Sequence, residues 1–136
     1  MTVIASDGAV QSEHDQIVNL IAQRWATVTK CKVTINTAPE KEPWLGVDRK
    51  YPDIIGWQYQ PKQNTVEWIA EVETADSFSV FDAHGRWLDY MAFGVPFYLF
   101  VPKGCRELAE LFASRAGVHI NRVYEYSVVN GMFQLG

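Results

Sequence analysis

Cysteine is nearly missing from this sequence. Cys31 and Cys105 are the only two among 136 residues, too far apart for a zinc knuckle and too few for a disulfide scaffold, so both read as reduced thiols. Long apolar runs are missing as well. No window approaches the roughly 18 apolar residues that a membrane span needs, and the opening MTVIASDGAVQSEHDQ has neither the basic start nor the continuous apolar stretch of a signal peptide. A soluble cytoplasmic protein with no membrane partner is the expectation. Positive charge is in deficit, with 12 Lys and Arg against 16 Asp and Glu and a formal net charge of −4. This balance speaks against a protein whose affinity for nucleic acid rests on a broad basic surface. It leaves room for acids that gather to hold a divalent cation, because the ion supplies the positive field once bound. Repeats and low-complexity tracts are also lacking. What is there is 48% apolar and 13% aromatic, enough to bury the core of one globular domain spanning 1–136.

Along the chain, residues 1–11 are small and polar and read as a loose lead-in. Ser12 and Asp15 resemble a capping box, and Ile17, Val18, Leu20, Ile21, Trp25 and Val28 follow at three- and four-residue steps, which predicts an amphipathic helix over 12–29. Glu13 and His14 sit one turn before Ile17 and Val18, near the buried stripe. A short strand is expected at 32–36 and a loop over 37–50. Pro52 cannot donate a backbone hydrogen bond and suits the first position of a strand over 53–58. The PKQN turn at 61–64 then returns the chain as a strand over 66–73. Residues 77–93 carry the next helical pattern, and Gly85 interrupts it and marks a loop before a helix proper from Arg86 to Gly94. A doubly buried strand follows at 95–102, then a helix stopped by Gly117, and an alternating strand at 118–129. The order α-β-β-β-α-β-α-β predicts an α/β fold in three layers, a mixed central sheet flanked by helices.

Three acids stand out against this frame. Asp53 opens one strand of the hairpin, and Glu71 and Glu73 share one face of the other, since alternate residues of a strand project together. Carboxylates converging in an apolar setting repel each other unless a cation neutralises them or one binds a proton. Mg²⁺ or Mn²⁺ suits such a site, because hard cations take two or three carboxylates and complete their shell with water and phosphate. The chemistry this favours is hydrolysis of a phosphodiester, in which the ion polarises phosphate and lowers the pKa of water.

PDIIGW, followed on the next strand by WIAEVET, resembles the PD-(D/E)xK nuclease superfamily, which has a restriction-endonuclease-like fold. The tail EVETADSFSVFDAHGRWLDYMAFGVPFYLFVP is similar to a branch of restriction endonucleases patterned E-V-x-S and then D-x-x-x-K-x-x-x-Y-x-x-x-G-V, with Asp82, Arg86, Tyr90, Gly94 and Val95 at those spacings. The resemblance covers roughly 12–127. It implies a Mg²⁺- or Mn²⁺-dependent nuclease acting on DNA, with Asp53 and Glu71 as metal ligands and Glu73 as third ligand or base. Glu13 takes the place of an acid that many members carry on the first helix. Two positions depart from the pattern: Glu73 and Arg86 stand where lysine is usual. Arginine keeps the charge but almost never releases a proton, so Arg86 is assigned to substrate phosphate, and water activation falls to the metal or Glu73.

Plainer roles stand beside these. Glu13 also reads as a helix-start carboxylate, Arg86 as a surface partner of Asp82 or Asp89, and His84 as part of a solvated turn. His14 and His119 have no zinc-like spacing. Tyr59 and Lys62, on the hairpin and its turn, are the further candidates for substrate contact. The rival function is an inactive nuclease-fold module that binds nucleic acid or protein, and the small surface left to 136 residues favours a homodimer or a partner in either case.

Overall fold

The computed structural model describes residues 3–4, 10–11, 13–29, 32–36, 52–58, 65–75 and 83–135. Its elements are β1 (Val3–Ile4), β2 (Val10–Gln11), α1 (Glu13–Thr29), β3 (Lys32–Ile35), β4 (Ile54–Gln58), β5 (Thr65–Val72), a π-helical turn (Ala83–Trp87) that runs into α2 (Leu88–Met91), β6 (Phe97–Pro102), α3 (Arg106–Ala116), β7 (Arg122–Val129) and β8 (Met132–Leu135). Strands β3 to β8 lie side by side in chain order in one sheet of six. The steps from β3 to β5 are antiparallel, those from β5 to β7 parallel, and β8 returns antiparallel on β7. Parallel neighbours need a crossover, and α2 and α3 belong to the two crossovers here. The class is therefore α/β, with a mixed sheet flanked by helices.

Alternation along the strands divides the core between the two faces. Ile17, Val18, Ile21 and Ala22 of α1 pack on Ile54, Trp68, Ala70, Val72, Phe100 and Tyr126. On the other face Trp87, Tyr90, Ala109 and Ala113 pack on Ile55, Ile69, Phe97, Leu99 and Val123. Each large side chain so covered contributes about 1.5–3 kcal/mol before conformational entropy is subtracted. Trp25 anchors α1, its ring edge-on to Trp68, Tyr98, Phe100 and Tyr124 with centroids 5.0–5.3 Å apart. Such aromatic pairs add about 0.5–1.5 kcal/mol beyond their area. Gly56 stands opposite Trp68 in the β4–β5 register, and a Cβ there would lie 2.2 Å from the indole Cε2. Only glycine fits under that ring.

Some expectations shift. The lead-in at 1–11 carries a two-residue antiparallel rung between β1 and β2. Gly85 lies inside the π-helical turn, so the helical segment begins earlier than Arg86, and regular α-helix stops at Met91. Strand β8 comes as an addition. Asn130 and Gly131, with φ of 52° and 76°, make the two-residue turn that joins Val129 to Met132, as Asn-Gly favours in hairpins. The Ser12 cap, the loop at 37–50, the turn at 61–64, and the residues Tyr59, Lys62 and Asp82 lie outside the described residues. No described helix is long and apolar enough to cross a membrane.

Candidate functional site

Strand β4 begins where its backbone ladder with β5 gives out. The last paired residues are Ile54 and Ala70, and beyond them two inward-facing N–H groups need acceptors, since unpaired buried backbone groups are costly. Carboxylates supply them. The Asp53 N–H donates to Glu71 Oε1 at 2.8 Å, and the Val72 N–H donates to Asp53 Oδ2 at 2.8 Å. On its other side Asp53 is tied to β3, its carbonyl accepting from the Asn36 N–H at 2.9 Å. Glu73, one residue past β5, donates its N–H to the Phe100 carbonyl, and its own carbonyl accepts from the Tyr126 hydroxyl at 2.8 Å. The acids are therefore part of the sheet's construction as well as a cluster at the end of β5.

Burial is nearly complete: relative exposure is 7% for Asp53, 1% for Glu71 and 0% for Glu73. Two cations face them. Arg86, from the π-helical turn, donates through Nη2 to both Glu73 oxygens at 3.1 and 3.3 Å, and its Nη1 stands 3.6 Å from Glu71 Oε2. His14, in the first turn of α1, brings Nε2 to 3.1 Å from Asp53 Oδ2 and Nδ1 to 3.2 Å from Asp15 Oδ1. Burial works against the charged ring, but the hydrogen bond and charge of Asp53, then those of Asp15, outweigh it and raise His14 from 6.5 to about 9. At neutral pH the ring is an imidazolium that donates from both nitrogens. Burial first, and then the negative charge of Asp53, push the Glu71 carboxyl well above its ordinary 4.5, with Arg86 opposing. Tyr90 is pushed up from 10 by burial and next by Glu71 and Asp53, so the phenol lies within the field of the same acids.

The structure thus brings together Asp53, Glu71, Glu73 and Arg86. Glu13 is exposed at the start of α1, close enough that its charge adds to the upward shift of Tyr126. Tyr59 and Lys62 lie outside the described residues. His14 is the member that sequence reasoning set aside; its signal was its place one turn before the buried Ile17 and Val18, not any ligand spacing. Grooves of about 600 and 370 Å³ lie instead along α3 and where β6 and β7 begin, and none of the three acids lines them.

Hard cations are matched in kind by carboxylate oxygens, and Glu71 Oε2 is buried with no hydrogen bond, facing Arg86 Nη1 at 3.6 Å. Asp53 Oδ1 likewise has no hydrogen bond among the described residues. Against this, no group of three or more His, Cys, Asp or Glu is arranged to hold a metal ion among the described residues. Asp53 and Glu71 are thus two carboxylates of the donor type a hard cation takes, two rather than three, since Glu73 is engaged by Arg86. No protein-family model, no curated protein and no solved structure matches the chain.

Proposed function

We propose that this protein is a Mg²⁺- or Mn²⁺-dependent nuclease of restriction-endonuclease-like fold that hydrolyses phosphodiester bonds, with DNA as the substrate class. The observation that carries the reading is the buried Glu71 Oε2, without a hydrogen bond, beside Asp53 and under a guanidinium whose side chain is 44% exposed. Asp53 and Glu71 would hold the ion, which supplies Lewis acidity toward phosphate and an acidified water. Arg86 faces solvent on one side and Glu73 on the other, so an incoming phosphate competes with Glu73 for it. A guanidinium suits that task, presenting paired donors to phosphate oxygens and remaining charged. Glu73, once Arg86 turns to phosphate, is the third ligand or the base. The acid excess of the whole chain places the burden of holding substrate on such local contacts and on a second copy or partner.

A specific observation also favours the rival reading. His14 and Arg86 already neutralise the cluster without a metal, as expected of a nuclease-fold module that has become a binding protein. The experiment that separates the two is calorimetric titration of Mn²⁺ into wild type and Asp53→Ala at neutral pH and low salt, followed by a plasmid cleavage assay. Binding lost in the variant, with metal-stimulated cleavage lost alongside it, supports the nuclease. No binding and no cleavage in wild type would sink it and leave the module.

A further inference from the structure

We infer that His14 is a positioning residue for Asp53, the side chain through which the first turn of α1 sets the orientation of the site's first acid; the inference rests on the metal-site reading above. Asp53 Oδ2 takes two donors, the Val72 N–H at 2.8 Å and His14 Nε2 at 3.1 Å. One comes from β5 and the other from α1, so the carboxylate is fixed from two elements. Oδ1 is thereby the oxygen left to meet a cation. His14 is itself held, because Nδ1 lies 3.2 Å from Asp15 Oδ1, and a ring rotation would break both contacts. The helix behind it has little freedom to shift, with Ile17 and Val18 buried in the core one turn further on. A group that orients a metal ligand in this way typically changes metal affinity by about 10–100-fold when removed. A histidine that merely stabilised the helix would lower stability and leave affinity alone.

Mn²⁺ itself is the probe, titrated into wild type, His14→Ala and His14→Gln at a single pH, with Asp53→Ala as the zero reference. Exchange of the Val72 amide hydrogen is followed in the metal-free proteins. His14→Ala is expected to bind Mn²⁺ more weakly, by about 10-fold or more, than His14→Gln, which lacks the ring's charge equally, and to speed Val72 exchange. His14→Gln, which keeps an N–H donor, is expected to recover most of the exchange protection. Unchanged exchange in His14→Ala overturns the inference, as does equal affinity in the two variants. If wild type shows no Asp53-dependent binding of Mn²⁺, the metal reading fails by itself. The exchange data then decide the hold on Asp53 alone: faster exchange in His14→Ala than in His14→Gln supports it, and equal exchange overturns it.

Discussion

The two halves of the acid cluster are neutralised in different ways. On one side His14 reaches Asp53 from α1; on the other Arg86 reaches Glu73 and Glu71 from the π-helical turn. The first cation titrates and the second does not, because guanidinium stays charged throughout the accessible range. The first is half-buried, whereas the second is exposed over two wholly buried carboxylates. The charge balance of the site thus has one part that pH can remove and one that only mutation can. The permanent charge is the more exposed of the two, and the variable one the more buried.

The Arg86 half gives the largest expected effect. Arg86→Ala removes the guanidinium that pairs with Glu73, a carboxylate at 0% exposure. Removing one partner of a buried pair costs about 3–5 kcal/mol, and water around the exposed guanidinium reduces this to about 2–3 kcal/mol. Urea unfolding at neutral pH measures it. Arg86→Lys, which keeps the charge but not the paired donors, should fall between. A cost below about 0.5 kcal/mol for the alanine variant, the range of ordinary surface changes, would break the comparison, since Glu73 would then have another source of compensation.

The His14 half is expected to show in the pH profile. Its folded pKa of about 9 lies above the ordinary 6.5, so the folded state holds a proton that the unfolded state has released between those values. The sign follows: the stabilisation is full below about pH 6.5 and is lost as pH rises to about 9, with a total of about 2–3 kcal/mol. The raised Glu71 carboxyl acts in the same direction from lower pH, as a buried acid that prefers its proton. Comparing wild type with His14→Ala isolates the histidine. Their difference in unfolding free energy should shrink between pH 6.5 and 9, and a difference constant over that range would remove the distinction between the two halves.

Much of the framework was legible from periodicity. The stripe from Ile17 onward lies on α1, and the alternations around Asp53 and Glu71 fall on β4 and β5. Asp53, Glu71 and Glu73 were legible as a group because strand alternation and a hairpin need only local spacing. The partners of those acids were not. His14 and Asp53 are far apart in sequence, and their meeting depends on how α1 sits across the sheet, which no local pattern encodes. Arg86 was visible as a cation with Asp82 and Asp89 near it by spacing, but its contact with Glu73 comes from tertiary packing. Strand β8 was readable from Asn130-Gly131 between apolar residues, the dipeptide that favours a two-residue hairpin turn.

The smallest effect belongs to a bond that carries no charge. Tyr126 of β7 donates to the Glu73 carbonyl, joining the Arg86 half to the last parallel strand just where the β5 backbone leaves the sheet. Tyr126→Phe removes that donor at a position only 5% exposed, and the cost should be about 1 kcal/mol. Burial first, and then the charge of Glu13, hold the phenol far above its ordinary 10. The bond therefore persists unchanged through the range in which His14 loses its proton, and the Tyr126→Phe penalty should be the same at pH 6 and pH 9 by urea unfolding. A penalty that faded with His14 would show that releasing Asp53 loosens Glu73 as well, making the two halves a single unit with one charge balance.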